Sequence, residues 1–198
     1  FCTLRPKWTV CDLGCGVGSL LLLTAQREEN LTRVGIELDP TAAALARKNL
    51  ADNALSGTIL TGDLREKSLL RGDQFHLVLS NPPYFRAGSG RSGGQARMDD
   101  TCSVEDLCRT AGRLTRTGGR FALVYRPERL AELFAALQTA KLEPKRMKFV
   151  HPFADKEANM VLIEAVRGGG ALMTVEKPII VYKEPGVYTD EIYDIYGY

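Results

Sequence analysis

The sequence predicts an α/β fold: a mostly parallel, seven-stranded sheet flanked by helices, with an antiparallel strand pair at its C-terminal side. Three observations carry this expectation. Short apolar runs alternate with amphipathic stretches of helical period, the pattern of strands connected through helices. A glycine-rich turn, Gly14-Cys15-Gly16-Val17-Gly18, joins the first apolar run to the first helical stretch. The chain's 198 residues, 44% hydrophobic and 25% charged, suffice for one domain of this kind.

The elements follow in order. Thr9–Leu13 reads as the first strand and Ser19–Arg27 as the helix behind it. Arg33–Leu38 is the second strand. Asp39-Pro40 then supplies an N-cap and a first-turn proline for the Ala-rich helix Thr41–Asp52. Thr58–Leu60 and Phe75–Leu79 are the third and fourth strands. A Gly/Ser-rich stretch from Ala87 to Ala96 has no side chains to pack a core. Ser103–Arg116 is a helix that Gly118-Gly119 is expected to stop, Arg120–Tyr125 the fifth strand, and Glu128–Ala140 the next helix. Arg146–Val150 and Met160–Val166 form the final strand pair around the loop His151–Asn159. Gly168-Gly169-Gly170 breaks the pattern, so residues 1–167 read as one domain. Residues 168–198, with five of the seven tyrosines, read as an extension packed on it.

Composition excludes several classes. A formal net charge of +2 neither demands nor forbids a nucleic-acid partner. The five cysteines, Cys2, Cys11, Cys15, Cys102 and Cys108, show no zinc-ligand spacing, and no metal is expected. They point to a reducing cytoplasm, with Cys11 and Cys15 as small buried hydrophobes. The longest apolar run, Leu20 to Leu23, is far too short to span a membrane. The chain starts at Phe1 with the first strand close behind, so a further N-terminal segment is expected to be missing.

Asp12-Leu13-Gly14-Cys15-Gly16-Val17-Gly18 departs from the dinucleotide fingerprint, because its third glycine comes one residue early and Ser19 takes the expected place. An acid precedes the turn by two residues. That carboxylate repels a pyrophosphate and attracts the ammonium of S-adenosyl-L-methionine. The glycines let the backbone approach a ligand closely, and the following helix N-terminus favours a carboxylate. Glu37, ending the second strand, stands where it can accept both ribose hydroxyls, and Leu38 beside it can pack on adenine. Asp39 is the rival acid, but its cap role accounts for it. Asp63, with Leu64, follows the third strand and can accept from the adenine amine, cap a helix, or both. The expected cofactor residues are Asp12, Gly14, Cys15, Gly16, Gly18, Glu37, Leu38, Asp63, Leu64 and Asn81, on a Rossmann-like class I methyltransferase fold.

Asn81-Pro82-Pro83-Tyr84-Phe85 follows the fourth strand, at the carboxyl edge where α/β ligands bind. A planar amine or amide is a poor nucleophile because its lone pair is delocalised. The Asn81 side-chain carbonyl and the Pro82 backbone carbonyl can accept its two N–H bonds and turn the lone pair toward an electrophilic methyl. Successive prolines hold that aim. Tyr84 offers a face for stacking. Asn81, Pro82, Pro83 and Tyr84 are therefore the catalytic candidates. A duplex or stacked base has to be turned out to reach them.

These motifs, with Gly35-Ile36-Glu37-Leu38-Asp39-Pro40, resemble the N6-adenine and glutamine-N5 methyltransferases. The stretch from His151 to Ala165, with Pro178-Ile179-Ile180-Val181-Tyr182 and Tyr188-Thr189-Asp190-Glu191-Ile192-Tyr193, is more particular. It resembles the bacterial tRNA(Val) adenine-37 N6-methyltransferase family, and the resemblance runs from Val10 onward. It implies a tRNA substrate methylated at an adenosine beside the anticodon, S-adenosyl-L-homocysteine as product, Asn81 to Tyr84 as catalytic tetrapeptide, and Glu37 and Asp63 as cofactor ligands. It says nothing of a protein partner. The alternatives are a protein glutamine-N5 methyltransferase using the same tetrapeptide, another adenine-N6 nucleic-acid methyltransferase, and a non-catalytic module.

For the substrate, Arg86, Arg91 and Arg97 dot the Gly/Ser-rich loop beside Tyr84 and Phe85, where a basic loop can order on phosphates. Lys156 is a further phosphate candidate. Lys145, Arg146 and Lys148 are expected near a sheet edge and can extend an RNA track. Arg109, Arg113 and Arg116 read as a solvated helix face, and the tail tyrosines as cover for the core.

Overall fold

The computed structural model describes residues 1–82 and 102–197. Its strands are β1 (Thr9–Leu13), β2 (Thr32–Glu37), β3 (Thr58–Thr61), β4 (Phe75–Ser80), β5 (Thr115–Tyr125), β6 (Leu142–His151) and β7 (Met160–Arg167). They form one sheet in the order β3-β2-β1-β4-β5-β7-β6, parallel from β3 to β5 and antiparallel at β5-β7 and β7-β6. The tail adds two short strands, β8 (Thr174–Val175) and β9 (Ile179–Ile180), both parallel to β6. It continues in a small hairpin, β10 (Tyr182–Glu184) and β11 (Val187–Tyr188), and a helix, α5 (Asp190–Tyr196). The other helices are α1 (Ser19–Arg27), α2 (Pro40–Asp52), α3 (Val104–Leu114) and α4 (Leu130–Thr139). None of the described helices is long and apolar enough to cross a membrane.

Strand alternation sorts the side chains onto two faces. Cys11, Leu13, Phe121, Leu123, Val161 and Ile163 point into the main core, where they meet Leu107, Cys108, Ala111, Leu133 and Leu137 of α3 and α4. Val10, Leu77, Leu79 and Ala122 point the other way, against Leu20 of α1 and Cys2, Leu4 and Trp8 of the N-terminal segment. Glu164 lies on that second face with no exposed surface. It accepts from Thr3 N (2.8 Å) and Arg120 Nη1 (2.7 Å), with Arg146 Nη1 at 3.3 Å. A buried charge persists only where it is paired and hydrogen-bonded.

The structure corrects three sequence expectations. The helix before β5 ends at Leu114 rather than running to Arg116, because Asp73 N and Gln74 N take the carbonyls of Arg113 and Leu114 (both 3.0 Å) and end the ladder there. Arg116 therefore sits in β5, while Arg113 donates to Leu70 O (2.6 Å). Lys145, Arg146 and Lys148, expected near a sheet edge, lie on a strand whose edge the tail partly covers. Lys145 Nζ donates to the carbonyls of Gly170, Ala171 and Leu172, and Arg146 and Lys148 pair with Glu176, so this strand binds the tail. Asp63 opens a turn rather than a helix.

Of the tail tyrosines expected to cover the core, Tyr182 and Tyr188 are partly buried, whereas Tyr193 and Tyr196 are exposed and Tyr198 lies outside the described residues. Tyr188 packs with Val150, Ile179 and Ile192, and its ring stacks on Tyr182 at 5.1 Å. At the far edge, Arg47 of α2 donates to Ile59 O (2.8 Å) and Thr61 Oγ1 (2.7 Å) of β3.

Replacing Glu164 by Leu strands Arg120 against a sheet face and leaves Arg146 with Glu176 alone. Both guanidiniums keep some solvent, so a loss of about 3 kcal/mol is expected, at the low end for a broken buried pair. Urea unfolding of the variant and the wild type measures it; equal midpoints would show that the pair contributes nothing.

Candidate active site

Strand order reverses between β1 and β4, since the chain passes to β2 and β3 on one side and to β4 and β5 on the other. A crevice opens at such a point at the carboxyl ends of the strands. Every sequence-predicted cofactor residue falls on or beside these ends.

The turn between β1 and α1 has Gly14, Gly16 and Gly18 at φ of 71°, 53° and 86°, a region in which a side chain is strained. Its inner N–H groups are committed: Gly14 N and Cys15 N donate to Ile36 O (2.9 and 3.0 Å), and Gly18 N to Cys15 O (2.8 Å). Gly16 N donates to Glu37 Oε2 (2.7 Å), and Asp39 N to Glu37 Oε1 (2.9 Å). Both carboxylate oxygens of Glu37 are thus oriented by backbone while each keeps a lone pair. Leu38 beside it is 51% exposed. Asp39 accepts from Thr41 N (2.9 Å) as the cap of α2, so the rival acid is accounted for. No side chain caps α1, whose N-terminus follows the turn directly.

Asp12 is 1% exposed, and its Oδ1 has no hydrogen-bond partner among the described residues. Burial, with the nearby Glu37 charge adding to it, pushes its carboxyl up to about 7. An orphaned carboxylate under a glycine turn is what a cationic ligand group completes. The donor set fits S-adenosyl-L-methionine: Asp12 for its ammonium, the α1 N-terminus for its carboxylate, Glu37 for its ribose. Cys15 presents only backbone here. Its thiol packs into the core beneath, where a Cβ on Gly35 would stand 2.6 Å from Cys15 Sγ. Burial, then the charges of Asp12 and Glu37, push that thiol up to about 12, so it is no nucleophile.

Asp63 accepts from Arg65 through backbone N–H (2.9 Å) and side chain, which holds its carboxyl below the usual range. Leu64 is buried in the main core under α3, so its side chain faces away from the crevice.

On the other side of the crevice, Asp12 pairs with Leu79, which brings Asn81 beside Gly14. Ser80 is buried and donates to Leu13 O (2.9 Å), tying the ends of β1 and β4 together. Sequence reasoning missed it, although a hydroxyl ending an apolar strand just before Asn-Pro-Pro was the available signal. Asn81 is exposed and Pro82 buried. Pro83, Tyr84, Phe85, Arg86, Arg91 and Arg97 lie outside the described residues. Lys156 sits in the β6–β7 loop, 61% exposed, with Asp155 Oδ2 at 3.3 Å. Because Tyr125 pairs with Val161 and Val150 with Met160, this loop stands on the same sheet edge as Asn81. His151 Nδ1 bonds Lys156 O (2.7 Å) and Arg126 Nη1 donates to Asn159 O (3.1 Å), which shape the loop. Arg126 was also missed, since nothing in its spacing marks it.

Residues 3–149 match the family model of the methyltransferase small domain. Among curated relatives, the tRNA1(Val) (adenine(37)-N6)-methyltransferase of Porphyromonas gingivalis is 33% identical over 190 residues, covering 91% of this chain and 74% of the relative. Its counterpart in Dickeya chrysanthemi is 34% identical over 173 residues, covering 84% and 68%. Among solved structures, a predicted O-methyltransferase of Agrobacterium tumefaciens superposes with a TM-score of 0.79 at 26% identity, covering 96% of this chain and 88% of that one.

The raised Asp12 carboxyl has a stability consequence. Its folded value of about 7 lies above the unfolded 3.8, so the folded state holds the proton more tightly. Stability is therefore highest below pH 4 as far as this group goes, and declines as pH rises through 7. Asp12→Asn is expected to be more stable than wild type at pH 8, an advantage that shrinks toward pH 4. Urea midpoints across that range test it; a pH-independent difference would mean that Asp12 is ionised throughout.

Proposed function

This chain belongs to the methyltransferase small domain family and is an S-adenosyl-L-methionine-dependent methyltransferase, and we propose that it methylates N6 of an adenosine in tRNA, at position 37 of the anticodon loop as its relatives' name states. The single observation that carries the reading is the meeting of two motifs at one crevice: Asn81-Pro82 lies beside the glycine turn and its orphaned Asp12.

When bound, the cofactor supplies a sulfonium-activated methyl. The chain's own residues do the rest. Asp12 neutralises the ammonium and fixes the methionine end. Glu37, already aimed by Gly16 N and Asp39 N, takes the ribose hydroxyls, and Leu38 covers the adenine. Asp63 reaches the cofactor's adenine amine by exchanging a bond now made with Arg65. Asn81 and the Pro82 carbonyl accept from the target N6 amine and turn its lone pair toward the crevice. No proton relay is needed before transfer, so positioning supplies the acceleration, up to about 7–11 kcal/mol for aligned reactants. Tyr84 and Phe85 stack the extruded base, and Arg86, Arg91, Arg97 and Lys156 hold the flanking phosphates. Arg126, one strand spacing of about 4.8 Å from β4, adds to that rim. A tRNA substrate supports a cytoplasmic location.

Asn81→Ala is expected to lower turnover on the order of 10²–10³-fold while leaving S-adenosyl-L-homocysteine affinity near wild type. Equal loss of both would make the tetrapeptide structural. Glu37→Ala should instead weaken cofactor binding, measured by calorimetry, and unchanged affinity would remove its ribose role. Radiolabelled methyl transferred to bulk tRNA should be recovered after digestion as N6-methyladenosine. Label on a glutamine of a release-factor-like peptide would move the reading to the amide.

A further inference from the structure

Helix α2 touches the glycine turn at two points on one face. Ala46 is fully buried, and a Cβ on Gly18 would stand 3.4 Å from its Cβ. One turn on, Asn49 Nδ2 donates to Val17 O at 2.9 Å. That carbonyl belongs to the same peptide unit as Gly18 N, which donates to Cys15 O at 2.8 Å. The Val17–Gly18 peptide plane is therefore pinned at both ends, by a side chain at its oxygen and by the turn at its nitrogen. Gly18 closes the plane with φ of 86° and Gly16 precedes Val17 with φ of 53°, and glycines rotate easily unless held. The plane leads straight into the N-terminus of α1, which no side chain caps, so it sets how the chain enters the first helical turn and its free N–H groups.

We propose that Asn49 is a positioning residue for the cofactor: it holds the Val17–Gly18 peptide in the orientation that presents the α1 N-terminus to the ligand's carboxylate. The proposal rests on the cofactor reading above and adds to it a residue that never touches the ligand. Helix stability does not explain the choice, since Asn forms helix less readily than Ala. Affinity is gained because the turn is ordered before the ligand arrives rather than by it.

The test is calorimetric titration of S-adenosyl-L-homocysteine into the wild type, Asn49→Ala and Asn49→Leu, with ligand-free melting temperatures alongside. Both variants should bind about three- to tenfold more weakly, the range set by one net hydrogen bond. Their ligand-free melting temperatures should stay at or above wild type, and turnover at saturating cofactor should be unchanged while its KM rises. Wild-type affinity in both variants overturns the proposal and leaves the cofactor reading intact. A fall in ligand-free melting temperature that tracks the lost affinity marks a merely structural role and also overturns it. A wild type that does not bind overturns the cofactor reading together with this one.

Discussion

The site depends on one unfavourable electrostatic arrangement, two carboxylates set at adjacent strand ends with one of them buried. Asp12 ends up without a partner for one oxygen and feels the charge of Glu37. Nothing in the core relieves this. Leu13 and Cys11 on its own strand face the opposite layer, and the backbone N–H groups nearest to it are spent on Ile36 O. On the proposed reading a ligand cation completes this carboxylate, and the local instability then belongs to the binding chemistry rather than to the stability of the domain.

Around it the structure uses backbone to aim side chains. Glu37 is held by two N–H donors from opposite sides, one in the glycine turn and one opening α2. Ser80 fastens the two strands that carry Asp12 and Asn81 at their very ends. The halves of the crevice thus keep a common register. The rigid part of the machinery lies on strand ends and a short turn, where geometry is better defined than on a long loop.

Much of this was legible in the sequence. The glycine turn, Glu37, the Asp39-Pro40 cap and the Asn81-Pro82 corner are each local signals, with bonding partners a few residues away or at a strand end whose place the alternation predicts. What escaped depends on tertiary pairing. The early end of α3 follows from a bond made by Asp73 and Gln74, distant in sequence. The basic run of β6 looked like a nucleic-acid track because periodicity cannot reveal that a strand edge is already covered. Arg126 became visible only once β5 and β7 were laid beside one another, and the bond of the Ser80 hydroxyl to Leu13 O needed the pairing of β4 with β1. Asp63 shows the limit from the other side: its carboxylate is a local signal, while its pairing with Arg65 two residues on is a matter of side-chain geometry.

The two rims of the sheet are closed by different devices. On β3 a guanidinium from α2 occupies the Ile59 carbonyl and the Thr61 hydroxyl, and on β6 the tail lays down two strands of two residues each while Lys145 gathers three further carbonyls. An open rim is a template on which another chain can add a strand. Among the described residues, neither side offers a long unpaired ladder, so the arginine and the tail also guard against edge-to-edge aggregation. A change at Arg47 or a cut before Met173 would then be felt first in how concentrated the protein can be kept.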